Sequence, residues 1–165
     1  MKIGKMSVEK MIEFSYIMER ELTDVKPADS FFTVYEEFCK QVLYDNWDLL
    51  NSSYASWIRR RLKKRSTYRS FKSSDTDKSF EQKLKKDALL VTDIRDNGLK
   101  RPIHIRSCSE DGFFDLDGAH RLIIHKVLGK DKIDFECKKE LYELCFTGMK
   151  KWIENLERKD FINEF

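Results

Sequence analysis

The segment from Phe113 to Gly129 constrains the fold more than any other part of the chain. It begins with the apolar run Phe113–Leu116, stops at Asp117-Gly118 and continues at once as a helical pattern. A strand that leads directly into a helix leaves the N–H groups of the helix's first turn pointing outward, backed by the positive end of the helix dipole. Such a junction binds phosphate and other anions. The alternative is an ordinary tight turn with Arg121 at the surface, because isolated glycine motifs are weak indicators of function.

Amphipathic helical patterns occupy the part of the chain that precedes this segment. Ser7 can cap the first helix, and Asp29 or Ser30 can cap the second. With a third pattern after them, they predict a helical lobe over residues 1–65. The stretch 66–79, rich in Ser and Asp, reads as a loop and marks the boundary of that lobe.

The second half of the chain mixes helix and strand patterns. A helical stripe that starts at Phe80 ends at Asn97-Gly98, since glycine commonly follows a helix. Three later stretches read as strands: Ile103–Arg106, Phe113–Leu116 and Ile133–Cys137. These elements predict an α+β fold with a core over residues 66–138, on which a C-terminal helix over residues 139–165 packs.

Composition excludes several classes of protein. Hydrophobic residues make up 41% of the 165 residues and aromatic residues 13%, as in a globular domain rather than a disordered chain. No apolar run approaches the roughly 20 residues that cross a bilayer, and the start lacks a signal-peptide core, so we expect a cytoplasmic protein. The four cysteines include no C-x-x-C pair, so neither a zinc site nor a disulfide framework is expected.

A basic run ends the third helical pattern. Its cations are Arg59, Arg60, Arg61, Lys63, Lys64 and Arg65. Basic side chains at a helix C-terminus suit the helix dipole, so one interpretation is a solvated helix end. The other is a patch that contacts the phosphates of a nucleic acid or a nucleotide, with Tyr68 or Phe71 available for stacking. The net charge of +3 does not indicate a strong attraction to polyanions over the whole surface.

The order of these pieces resembles the ParB/sulfiredoxin superfamily over residues 68–137. Three pieces carry the resemblance: Ile94–Leu99, Pro102–Ile105, and Asp117–Arg121 followed by Leu128-Gly129. The resemblance implies a small mixed sheet with flanking helices, and a Gly-x-x-Arg helix start that binds nucleotide phosphates.

Differences at the motif distinguish the branches of that superfamily. Sulfiredoxins have a catalytic cysteine where this chain has Ala119, so the thiolate nucleophile is missing. ParB proteins carry Gly-Glu-Arg-Arg at this point. Free-serine kinases carry Asp-Gly-His-His-Arg, with which Asp117–Arg121 agrees at four of five positions. The resemblance therefore implies a nucleotide-dependent phosphotransferase that acts on a small hydroxyl-bearing molecule.

The resemblance also implies which residues hold the nucleotide. Its phosphates would lie against Gly118, Ala119, His120 and Arg121, with Lys100, Arg101 and Arg69 as further cations. Phosphoryl transfer depends mainly on positioning and on neutralising charge, which a helix N-terminus with a histidine and an arginine can supply. The cofactors implied are ATP or ADP, with other nucleotides left open, and Mg²⁺.

Catalytic roles follow from the same turn. Asp117 is either the helix N-cap or a ligand of Mg²⁺, and His120 would neutralise charge on the transferred group. Glu81 is the first candidate for the general base, with Asp77 and Asp75 as alternatives. The competing hypothesis is a ParB-like protein that binds nucleic acid, or switches with a nucleotide, without catalysis.

Overall fold

The computed structural model describes residues 2–13, 15, 30–108, 114–143 and 161–163. The chain divides into two compact units, which we call the sheet unit (residues 1–25 and 99–165) and the helical unit (residues 26–98). In chain order the elements are β1 (Lys2–Ser7), α1 (Val8–Glu13), α2 (Phe31–Leu43), a 3-10 turn (Leu49–Asn51), α3 (Ser53–Arg65), β2 (Thr67–Tyr68), β3 (Phe71–Lys72), α4 (Asp77–Asn97), β4 (Ile103–Cys108), β5 (Phe114–Asp117), α5 (Ala119–Val127), β6 (Lys132–Cys137) and β7 (Phe161–Asn163). Among the described residues, no helix has the length and apolar character needed to cross a membrane.

A five-stranded sheet forms the centre of the sheet unit. Its strands lie in the order β5-β4-β6-β1-β7, and β4 and β6 run parallel while the other neighbours are antiparallel. Ile133, Phe135 and Cys137 of β6 are buried, whereas Lys132 and Asp134 between them are exposed. This alternation is the period-two pattern of a half-buried strand. The predicted α+β class, with a small mixed sheet and flanking helices, is confirmed.

The helical unit has a core of aromatic side chains. Among the described residues of this unit, seven aromatic rings are buried: Phe31, Phe32, Tyr35, Phe38, Tyr54, Phe71 and Phe80. Each contributes roughly 1.5–3 kcal/mol through the apolar area that it buries. The helices begin at capping hydroxyls, since Ser30, Ser52 and Thr76 accept hydrogen bonds from N–H groups three residues later. Of the two caps predicted for α2, Ser30 is therefore the one used.

Several expectations for the two ends of the chain differ from the structure. Residues 2–7 form a strand between β6 and β7 rather than part of a helical lobe, although Ser7 does cap α1. Residues 161–163 form a strand instead of helix, while most of the predicted closing helix lies outside the described residues. The units accordingly divide elsewhere than at residues 65 and 138. The cause is that strand pairing joins segments far apart in sequence, which local periodicity does not reveal.

The stretch 66–79, predicted to be a loop, also contains secondary structure. It contains the short hairpin of β2 and β3, in which Tyr68 pairs with Phe71. The burial of Phe71 in the aromatic core holds this hairpin in place.

Candidate functional site

The predicted strand-to-helix junction is confirmed in the sheet unit. β5 ends at Asp117, and α5 begins two residues later, at Ala119. Gly118 between them has φ 118° and ψ 23°, and its carbonyl accepts the first hydrogen bond of the helix, from Leu122. The amide groups of the first turn of α5 therefore follow a glycine directly.

Close neighbours, as well as the backbone angles, require a glycine at position 118. A Cβ atom at this position would lie 2.6 Å from Nη2 of Arg121 and 2.8 Å from Cδ1 of Ile103. Both distances are shorter than normal van der Waals contact. The absence of a side chain thus allows the guanidinium of Arg121 to fold back over the turn.

Arg121 links the start of β4 to the end of β5. Its Nη1 donates to the carbonyls of Arg101 (3.0 Å) and Pro102 (3.3 Å), and its Nη2 donates to the carbonyl of Asp117 (3.2 Å). Burial lowers the pKa of Arg121, while the Asp117 carboxylate raises it. An arginine has five N–H donors, so two are not used by the described residues once these three bonds are made. The main role of Arg121 is therefore structural: its hydrogen bonds to the backbone stabilise the turn.

Asp117 does not cap the helix, so that interpretation is wrong. The cap position is Gly118, and no side chain in the described part of the chain makes the capping hydrogen bond. Asp117 is the last residue of β5, and its side chain is exposed. Its proposed role as a Mg²⁺ ligand stays a prediction. The described residues contain no group of three or more His, Cys, Asp or Glu side chains that could hold a metal.

Lys100 and Arg101 lie on the segment that leads into β4, next to this turn. Both line a cavity of about 340 Å³, together with Lys5, His125, Lys132 and Asp134. Asp117–Arg121 are not among the described residues that line it. The turn and the cavity are joined through the hydrogen bonds of Arg121 to the backbone of Arg101 and Pro102.

Arg69 and Glu81 belong to the helical unit, where each already has a partner. Nη1 of Arg69 lies 2.9 Å from Oδ1 of buried Asp87, whose Oδ2 accepts a hydrogen bond of 3.0 Å from Tyr54. Burial raises the pKa of Asp87, against the lowering effect of Arg69 and Tyr54. Glu81 lies 3.3 Å from Lys85, one turn along α4. The roles predicted for both residues at the phosphate site stay predictions.

The alternative acids for the general base are paired too. Asp77 lies 3.6 Å from Arg59. Both carboxylate oxygens of Asp75 accept from the ammonium of Lys83, at 2.6 and 2.8 Å, and Asp75 also caps the N–H of Lys72. These bonds lower the pKa of Asp75, chiefly through Lys83. A lowered pKa makes Asp75 a weaker base.

The basic run divides into two groups in the structure. Arg59 lies over the ring of Phe80 at 4.7 Å, and Arg61 lies 5.2 Å from the ring of Trp57. These two side chains pack on aromatic rings as cation–π pairs. Arg60, Lys63, Lys64 and Arg65 are exposed at the end of α3. Among the described residues, these four cations have no aromatic or acidic partner.

Sequence reasoning missed four residues of the cavity: Lys5, His125, Lys132 and Asp134. The outward positions of β6 could have indicated Lys132 and Asp134, because Ile133 and Phe135 point inward. Lys5 could not be found, since β1 was not recognised as a strand.

Comparison with known proteins gives no assignment. No protein-family model matches this chain, and neither does any curated protein or solved structure. The resemblance to the ParB/sulfiredoxin superfamily rests on the motif residues alone.

Proposed function

We propose that this protein is a nucleotide-dependent phosphotransferase with a ParB/sulfiredoxin-like sheet unit, acting on a small hydroxyl-bearing molecule. The observation that carries the proposal is the start of α5. It follows Gly118, and no described side chain accepts a capping hydrogen bond from its first-turn amides, which lie at the positive end of the helix dipole. Phosphate oxygens are suitable partners for these donors.

His120 and Arg121 have different roles in this proposal. His120, in the first turn of α5, lies next to the amides and can donate to a phosphate oxygen. Arg121 keeps Gly118 and the strand ends in position and has two N–H groups that are not used by the described residues. Fixed donors of this kind stabilise charge that develops during phosphoryl transfer without reorganising.

A magnesium ion would be shared between the protein and the nucleotide. Asp117 offers one exposed carboxylate beside the turn, and Mg²⁺ in such sites takes one or two carboxylates and completes its shell with phosphates and water. When bound, the ion would neutralise phosphate charge. Asp117 fits that role because its side chain is not used as a cap.

The test uses a variant that repels phosphate but suits the helix. His120→Glu places a carboxylate in the first turn, where the dipole stabilises it by about 0.3–1 kcal/mol. Arg121→Ala is less suitable, because it also removes three hydrogen bonds to the backbone. Lys139→Glu, at an exposed position of the same unit, adds at least as much negative charge and is the control for that effect.

We expect ATP or ADP, with Mg²⁺, to stabilise the wild type by about 2.7 kcal/mol at 100 times the dissociation constant. Thermal-shift and calorimetric titrations measure this effect. Lys139→Glu should retain it, and His120→Glu should lose most of it. The proposal fails if no nucleotide stabilises the wild type, or if His120→Glu responds as the control does.

The four exposed cations at the end of α3 favour a second candidate, a nucleic-acid-binding protein. No ion pair is found for Arg60, Lys63, Lys64 or Arg65 among the described side chains. Cations that contact nucleic-acid phosphates release counterions, so affinity would fall steeply with salt. Replacing Lys63 or Lys64 with Gln would then reduce the slope of log affinity against log salt by about one each. A flat salt dependence excludes this candidate.

A further inference from the structure

A concave basic surface lies at one end of the sheet, outside the turn. The cavity of about 340 Å³ described above is lined by Lys5, Lys100, Arg101, His125, Lys132 and Asp134. We call it the basic cavity. Its volume is at the lower end of the range of about 300–1,000 Å³ that is usual for small-molecule sites.

Sheet topology brings these residues together from four separate segments. Strands β4 and β6 are parallel, so the segment that leads into β4, with Lys100 and Arg101, lies beside the start of β6. Lys5 of β1 is directly opposite Asp134 of β6 in the antiparallel register. His125 comes from the last turn of α5.

The charges of the basic cavity are not balanced. Four of its side chains are cations and only Asp134 is an acid. No ion pair joins any of these five side chains to a partner in the described residues. Like charges that converge in a concave site repel each other, and a multiply charged anion relieves that repulsion and concentrates there.

We propose that the basic cavity binds a small molecule through a dianionic phosphate group. Lysine and arginine donors arranged around one space match the several oxygens of such a group. Lys100 and Arg101 are also predicted to contact the nucleotide, but the inference can be tested separately from the proposed function, because Lys5 and Lys132 line the cavity and lie outside the Asp117–Arg121 turn.

His125 provides an internal reporter of the ligand. Its side chain is partly buried and lines the basic cavity. Burial lowers the pKa of His125 and Lys130 lowers it further, whereas Asp134 and a hydrogen bond with the backbone of Lys132 raise it. The other charged groups around the site are Lys5, Lys100, Arg101 and Lys132. A dianion in the cavity adds negative charge beside the ring and therefore raises the pKa of His125.

The experiment is a calorimetric titration with inorganic phosphate, with succinate as a dicarboxylate of similar charge. The variants are Lys5→Gln/Lys132→Gln for the cavity, Lys139→Gln as control and His120→Glu for the turn. Exposed substitutions of this kind change folding stability by no more than about 0.5 kcal/mol. Melting temperatures without ligand establish that each variant is folded.

We expect phosphate to bind the wild type more tightly than succinate does. Affinity should fall at least tenfold in Lys5→Gln/Lys132→Gln and less than twofold in Lys139→Gln and His120→Glu. The pKa of His125, followed by NMR, should rise when sulfate, a dianion throughout this pH range, saturates the wild type.

Three results would overturn the inference. The first is that the wild type does not bind phosphate. The second is that Lys5→Gln/Lys132→Gln and Lys139→Gln bind it with equal affinity. The third is that only His120→Glu abolishes phosphate binding. The last result would place the anion at the turn and would support the proposed function while rejecting the basic cavity. Loss of nucleotide binding in His120→Glu with unchanged phosphate binding supports both.

Discussion

At the scale of single residues, both the backbone conformation and the surroundings of Gly118 require glycine. Its φ of 118° lies in a region that side chains strongly disfavour, and the space for a Cβ is occupied by Arg121 and Ile103. The sequence predicted the glycine's conformational role. It could not predict the backbone hydrogen bonds of Arg121, because these depend on where Arg101 and Pro102 lie in space.

Gly118→Ala should therefore destabilise the protein by about 2–3 kcal/mol, through backbone strain and displacement of Arg121. Gly129→Ala is the matched control. Gly129 also has positive φ, 76°, but nothing lies within 4 Å of its missing Cβ, so about 1 kcal/mol is expected there. Urea denaturation of both variants measures the difference. Equal losses would mean that the packing against Arg121 has no energetic importance.

At the scale of elements, α4 is joined to the hairpin of β2 and β3 through the partly buried ion pair of Asp87 and Arg69. Asp87 of α4 accepts from Arg69 at 2.9 Å and from Tyr54 at 3.0 Å. Arg69 has φ 52°, a left-handed conformation that is unusual for arginine. The ion pair with Asp87 holds the side chain of this residue. The helical periodicity of the sequence predicted α4. It could not predict that the acid on the buried side of this helix pairs with Arg69.

Asp87→Ala should destabilise the helical unit by about 2 kcal/mol, a value below that of a fully buried pair because the side chain of Arg69 is 36% exposed. Asp96→Ala, at the exposed end of the same helix, removes only an exposed pair with Arg95 and should change stability far less. Chemical denaturation followed by circular dichroism compares the two. An Asp87→Ala loss as small as that of the control would contradict a structural role for the pair.

At the scale of the whole molecule, elements with local signals in the sequence were predictable, strands β4, β5 and β6 included, whereas strands β1 and β7 were not. The strand–Gly118–helix junction, the cap at Ser30 and the end of α4 at Gly98 follow from signals within a few residues. Strand β1 has a weak apolar pattern, because Ile3 is exposed while Gly4 and Met6 are buried, and its partners β6 and β7 lie more than 100 residues away.

The candidate site shows the same division. Asp117–Arg121 is contiguous in sequence, so its chemistry could be inferred from the residues themselves. The basic cavity combines four separate segments and becomes visible only in the folded sheet unit.

The most direct test of the central claim is a ¹⁵N NMR titration of the wild type with ATP and Mg²⁺. Phosphates at the start of α5 should shift the amide signals of Ala119, His120 and Arg121 more than those at the other end of the helix, and His120→Glu should abolish these shifts. The claim is contradicted if the amides of this turn do not respond while signals from Arg59–Arg65 do.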